Sequence, residues 1–136
     1  MKRIIVIVLV CLMTFAMFSC SSQYRTDITM DEIIDAYNTA GYTVYSEVYD
    51  EKLEHGSIAS IQANHPNGDY IYFSFFETEE EAKAYEESFD HPIMKGLFSV
   101  IFGDPMWVRM ETYGCIVAEY WNEDLFEPFE KLLIGK

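Results

Sequence analysis

The groups in this 136-residue chain that could do chemistry are three cysteines, three histidines and 23 acidic side chains. Cys115 could serve as a nucleophile only beside a base and in an electropositive setting that lowers its thiol pKa. Its neighbours are Gly114, Ile116 and Val117. Strand alternation points it into the core, so a packed, inert thiol is expected. His55, His65 and His91 each fall in a turn, near Glu54, Asp69 and Asp90. Histidine with carboxylate is zinc-ligand chemistry, but the ligands must converge on one point, and neither His-x-x-x-His nor paired-cysteine spacing occurs. Asp50, Glu51 and Glu54 lack the glycine and ligand spacing of a calcium loop. Glu79, Glu80 and Glu81 suit the positive end of a helix dipole. Serine-nucleophile motifs and glycine-rich phosphate loops are absent from the sequence. These residues point away from an enzyme and call for no cofactor and no metal. Recognition is the better-supported chemistry. Tyr45, Tyr49, Tyr70 and Tyr72 alternate onto the face opposite Ile71 and Phe73. Tyrosines on a wet sheet face bury area at low entropy cost and can bind a sugar or a protein. They are also good strand formers. These four are the candidate partner-binding residues.

The remaining candidate position is Cys20. Lys2 and Arg3 precede an almost unbroken apolar run over 4–18, and Met17-Phe18-Ser19-Cys20 closes it with a small residue directly before the cysteine. As a helix that run is roughly 22 Å long, short of the ~30 Å hydrocarbon core of a bilayer. It suits the core of an export signal better than a permanent span. The pattern resembles the signal of bacterial lipoproteins, over residues 1–20 only. The resemblance implies cleavage before Cys20, acylation of its thiol by fatty acid such as palmitate, and residence on the extracytoplasmic face of the cell membrane. Each buried methylene contributes ~0.8 kcal/mol, so two or three chains would anchor the protein durably.

With residues 1–19 removed, enough chain remains for one domain and too little for two. Residues 20–27 read as the lipidated cysteine and a polar tether, and 28–136 as a single domain. The formal charge is −14, and the leader holds two of the nine basic residues and none of the acids, so the mature part is more acidic still. Such a charge repels nucleic acid and anionic lipid. Cys11 leaves with the leader and Cys20 takes lipid, so no internal disulfide is expected and the core must hold itself together.

The elements that must position these residues are legible from local signals. Thr29 with Glu32 forms a capping box, Ile28 and Ile33 fit a hydrophobic staple, and Met30, Ile33, Ile34 and Tyr37 share one face of a helix that Gly41 ends. Strand patterns follow over 42–49, 57–64 and 70–76, with Asn67-Gly68 marking a hairpin between the last two. Thr78 with Glu81 opens a second helix with Ala82, Tyr85 and Phe89 inward. Apolar positions over 93–102 suit a short buried helix, or an exposed docking patch. A hairpin is expected over 107–121, turning at Tyr113-Gly114. That register sets Met110 against Val117 and Thr112 against Cys115 on a buried face, with Arg109 and Glu111 on a wet one. Asn122 caps a last helix carrying Leu125, Phe126, Phe129, Leu132 and Leu133.

The order αβββ-α(α)-ββα predicts an α+β fold: a two-layer sandwich with a mainly antiparallel five-stranded sheet and helices on one face. The expected role is a non-catalytic binding or accessory domain at the cell envelope, with the membrane as one partner through its lipid and an envelope protein as another. The alternative is a small-ligand or cation-binding component serving a transporter.

Overall fold

The computed structural model describes residues 24–89 and 108–135. The leader, Cys20 and the apolar stretch over 93–102 lie outside the described residues, as does His91. Within them, five strands form one antiparallel sheet: β1 (Thr43–Val48), β2 (Ala59–Asn64), β3 (Tyr70–Phe75), β4 (Arg109–Tyr113) and β5 (Ile116–Tyr120). Their spatial order is β1-β2-β3-β5-β4, so the hairpin that comes last in sequence enters with β5 against β3 and leaves β4 at the edge. Among the described residues three α-helices accompany the sheet: α1 (Met30–Thr39), α2 (Glu79–Phe89) and α3 (Glu127–Ile134). This is the α+β class with the five-stranded antiparallel sheet expected, but the helices do not all lie on one face: α2 packs on the side opposite α1 and α3.

Helix α1 begins where its capping box places it. The Thr29 amide donates to Glu32 Oε2 at 2.9 Å, and the Glu32 amide donates to Thr29 Oγ1 at 3.3 Å, so two orphan donors are satisfied reciprocally. Gly41, at φ 88°, takes the left-handed conformation that turns the chain into β1. For α2, the Glu81 amide donates to Thr78 Oγ1 at 3.2 Å. The last helix is divided. Asn122 caps a single 3-10 turn (Glu123–Leu125), and α3 restarts after Phe126 with Pro128 in its first turn, where a missing donor costs nothing.

Helices α1 and α3 cover one face of the sheet. Ile33 and Tyr37 from α1, and Phe129 and Leu133 from α3, pack onto Ile61, Ala63, Ile71, Phe73, Ala118 and Tyr120. The rings interlock: Phe73 and Phe129 lie 5.0 Å apart, and Phe126 stacks on Tyr120 at 4.9 Å between centroids. Helix α2 lies over the opposite face at its β4–β5 end, where Ala82, Phe76 and Val117 form a second, smaller cluster with Tyr85 and Met110. Strand β5 carries core side chains on both faces for this reason: Ile116, Ala118 and Tyr120 serve the main core and Val117 serves α2.

The last hairpin corrects the expected register. Tyr113 pairs with Ile116 and Thr112 with Val117, so the turn is Gly114-Cys115 rather than Tyr113-Gly114. Gly114 takes φ 58°, the positive value that a two-residue hairpin favours at its first central position. The two-residue slip preserves which side chains share a face but removes Cys115 from the ladder. Its thiol is half-buried in the turn, 3.9 Å from the Glu77 carbonyl oxygen, and not in the core. Arg109 and Glu111 fall on the same face as the main core, at its margin, because β4 is an edge strand. There Arg109 pairs with Glu123 at 2.5 Å, and Glu111 accepts from Tyr113 Oη.

Candidate functional site

The strand register lays out the second face of the sheet in rows. Tyr45, Gln62, Tyr72, Glu119 and Met110 are successive cross-strand partners. The neighbouring row runs Thr43, Asn64 and Tyr70. Because side chains alternate along a strand, both rows point away from α1 and α3. Helix α2 covers the β4–β5 end of this face, and among the described residues no element covers the β1–β3 end.

All four tyrosines singled out in the sequence project from this face. Tyr45 is 62 % exposed and Tyr70 is 40 % exposed. Tyr49 follows β1, its amide bonded to the Ile58 carbonyl at 2.9 Å, which continues the alternation by one residue. Its hydroxyl donates to Ser60 Oγ at 2.7 Å and lies 3.5 Å from the hydroxyl of Tyr72. Tyr49 and Tyr72 are therefore half-buried and tied to the sheet, while Tyr45 and Tyr70 are free to touch a partner. Desolvation raises the Tyr72 hydroxyl pKa, so it stays protonated and can donate.

Beside Tyr72 and Tyr70 the face sinks into a cleft of about 420 Å³, lined by Gln62, Tyr70, Tyr72, Val108, Glu119 and Trp121. Trp121, one residue beyond β5, stands edge-on to Tyr70, with 4.3 Å between ring centroids and 87° between planes. Its indole N–H points to Asp69 Oδ1 at 3.4 Å. Glu119 rises from the floor, and its Oε1 accepts from the Tyr85 hydroxyl of α2 at 3.1 Å. Burial holds this carboxyl above the usual glutamate range, and the Tyr85 hydrogen bond offsets that only in part. Glu119 and Trp121 were not among the residues singled out from sequence. The signal was present in the alternation Val117, Glu119, Trp121, in which an acid and an indole share the face of Tyr70 and Tyr72.

A larger concavity of about 820 Å³ lies on the other side, between α1 and α3, with Asp35, Asp124 and Glu127 around its rim. Its acids are solvated helix residues, and Glu127 already pairs with Lys131 at 2.8 Å. His65 also lines this concavity, whereas His55 lies elsewhere. His55 Nε2 is 2.8 Å from Ser57 Oγ and its ring lies against Tyr85, while His65 packs against Tyr42. Among the described residues no group of three His, Cys, Asp or Glu side chains is placed to hold a metal ion.

No family model matches this chain, and neither a curated protein nor a solved structure matches it.

Proposed function

We propose that this chain is a lipid-anchored, non-catalytic binding or accessory domain, held on the extracytoplasmic face of a bacterial cell membrane through Cys20. Its working surface is the sheet face that carries Tyr45, Tyr49, Tyr70 and Tyr72, and its partner is an envelope protein. The observation that carries the reading is the convergence of four tyrosines on one side of the sheet, with Tyr45 and Tyr70 exposed at the end that α2 leaves uncovered. Aromatic side chains in such a position give a partner large contact area for little ordering cost. The anchor is supported by Ser19-Cys20 closing the apolar run, and the acidity of the chain disfavours nucleic acid as the partner. The alternative of a small-ligand or cation-binding component is favoured by one feature, the cleft with Glu119 at its floor.

A photo-crosslinking amino acid at position 45, expressed in membranes, tests the surface. A discrete crosslinked product is expected, weakened by Tyr70→Ala and absent when the crosslinker stands at Asn38 on α1. Fatty-acid labelling of the same chain should disappear in Cys20→Ala. Equal crosslinking from positions 45 and 38, or labelling that survives Cys20→Ala, would overturn the corresponding half of the proposal.

A further inference from the structure

We infer that the cleft walled by Tyr70, Tyr72 and Trp121 and floored by Glu119 is a site for an organic ammonium group, carried by a small alkylamine or by a lysine side chain. The inference deepens the partner-binding reading of this face and rests on it.

The first ground is the arrangement of rings. Tyr70 and Trp121 meet at a right angle and make a corner, and Tyr72 lies next along β3 on the same side. Ring faces carry negative potential, and a cation within about 6 Å of several of them is attracted to each. The second ground is Glu119. It accepts one hydrogen bond, from Tyr85, and among the described residues no lysine or arginine pairs with it. A half-buried acid at the base of an aromatic corner, with no counter-ion among the described residues, is one half of an ion pair. The third ground is what the remaining polar groups are doing. Gln62 donates its amide to Asn64 Oδ1 at 2.8 Å, and Asp69 receives both the Trp121 indole and the Asn67 amide. These groups are turned to one another. Among the described residues, a sugar, which needs several free donors and acceptors, would find only Glu119 and Tyr72. An ammonium group needs one carboxylate and the ring faces, and both are present. Charge complementarity agrees, since the whole chain carries a formal charge of −14. Burial raises the Glu119 pKa, and a cation bound beside it would act in the opposite direction by favouring the carboxylate.

The test uses the full-length chain in non-ionic detergent, followed by tryptophan fluorescence. Butylammonium is the probe, and 1-pentanol, of similar size and without charge, is its neutral match. A saturable change with butylammonium and none with pentanol is expected, abolished by Trp121→Phe. Glu119→Gln keeps the side-chain shape and the Tyr85 contact, and should weaken binding by about tenfold without lowering the melting temperature. A lysine-bearing peptide and its acetylated form identify the source. Response to the peptide alone assigns the ammonium to a protein side chain; response to both probes leaves a free amine sufficient. Equal response to pentanol, unchanged binding in Glu119→Gln, or no saturable response to either butylammonium or the lysine peptide would each overturn the inference. Were crosslinking from position 45 still specific in that last case, the partner-binding reading would stand without it.

Discussion

At the scale of the residue, Tyr37 joins two parts of the chain that are far apart in sequence. Its ring is fully buried against Tyr42 and Phe73, and its hydroxyl donates to the Leu125 carbonyl at 2.8 Å, tying α1 to the turn ahead of α3. Burial pushes its pKa far above the ordinary tyrosine range, which keeps the hydroxyl a donor. Tyr37→Phe removes the donor, keeps the ring, and leaves that carbonyl unsatisfied in an apolar setting. A loss of about 1–2 kcal/mol is expected, read as a lower urea midpoint with an unchanged slope. An unchanged midpoint would mean that water or another donor satisfies the carbonyl. The buried role of Tyr37 was legible because helical spacing put it with Met30, Ile33 and Ile34. The four surface tyrosines were legible because a period of two separates them from Ile71 and Phe73. Glu119 was not, because an acid within a strand reads as wet until the helix above it is placed. Here α2 supplies both the desolvation and, through Tyr85, the hydrogen bond.

At the scale of the element, the helix starts follow from local chemistry. Thr29 and Glu32 exchange two hydrogen bonds, and Arg25 reaches back to Glu32 at 3.0 Å while its own amide bonds the Leu133 carbonyl at the end of α3. Thr29→Ala should therefore cost about 1 kcal/mol, and Thr29→Asp should restore most of it, both read by thermal melting. Equal losses in the two variants would show that the contacts of Arg25, and not the cap, hold this end of α1. Caps, turns and periodicity depend on neighbours within four residues, which is why α1, the start of α2, and strands β1 to β3 could be read from the chain. The register of the last hairpin could not. Tyr113-Gly114 and Gly114-Cys115 both offer a two-residue turn, and the choice rests on Tyr113 meeting Ile116 beneath Phe126 and Phe129. The placement of α2 was equally hidden. With Ile116, Val117 and Ala118 consecutive and all buried, β5 has no wet face to show which side a helix will cover.

At the scale of the whole molecule, acidity and the buried carboxyl act in opposite directions on stability. Asp27 and Glu32 are held below their usual range, Asp27 chiefly by the Arg25 hydrogen bond and Glu32 by the Thr29 amide; Lys52 does the same for Glu81. Carboxylates of this kind stabilise the fold above their unfolded pKa, and that stability is lost as pH falls through the folded value. Glu119 has the reverse sign. Its folded pKa is raised, so the native state binds the proton more tightly, and stability falls as pH rises from the ordinary glutamate range through the folded value. Self-repulsion among the 23 acids adds to the loss at the upper end. The melting temperature should therefore pass through a maximum near about pH 5–6, falling below about pH 4 as the capped and paired acids protonate and declining toward about pH 8. Glu119→Gln should make the upper decline shallower and leave the acid limb in place. Added salt at about 0.5 M should reduce what remains of the upper decline by screening surface repulsion. A profile that climbs steadily to about pH 8, or an upper decline untouched by both Glu119→Gln and salt, would mean that neither the buried carboxyl nor the acidic surface sets the stability of this domain.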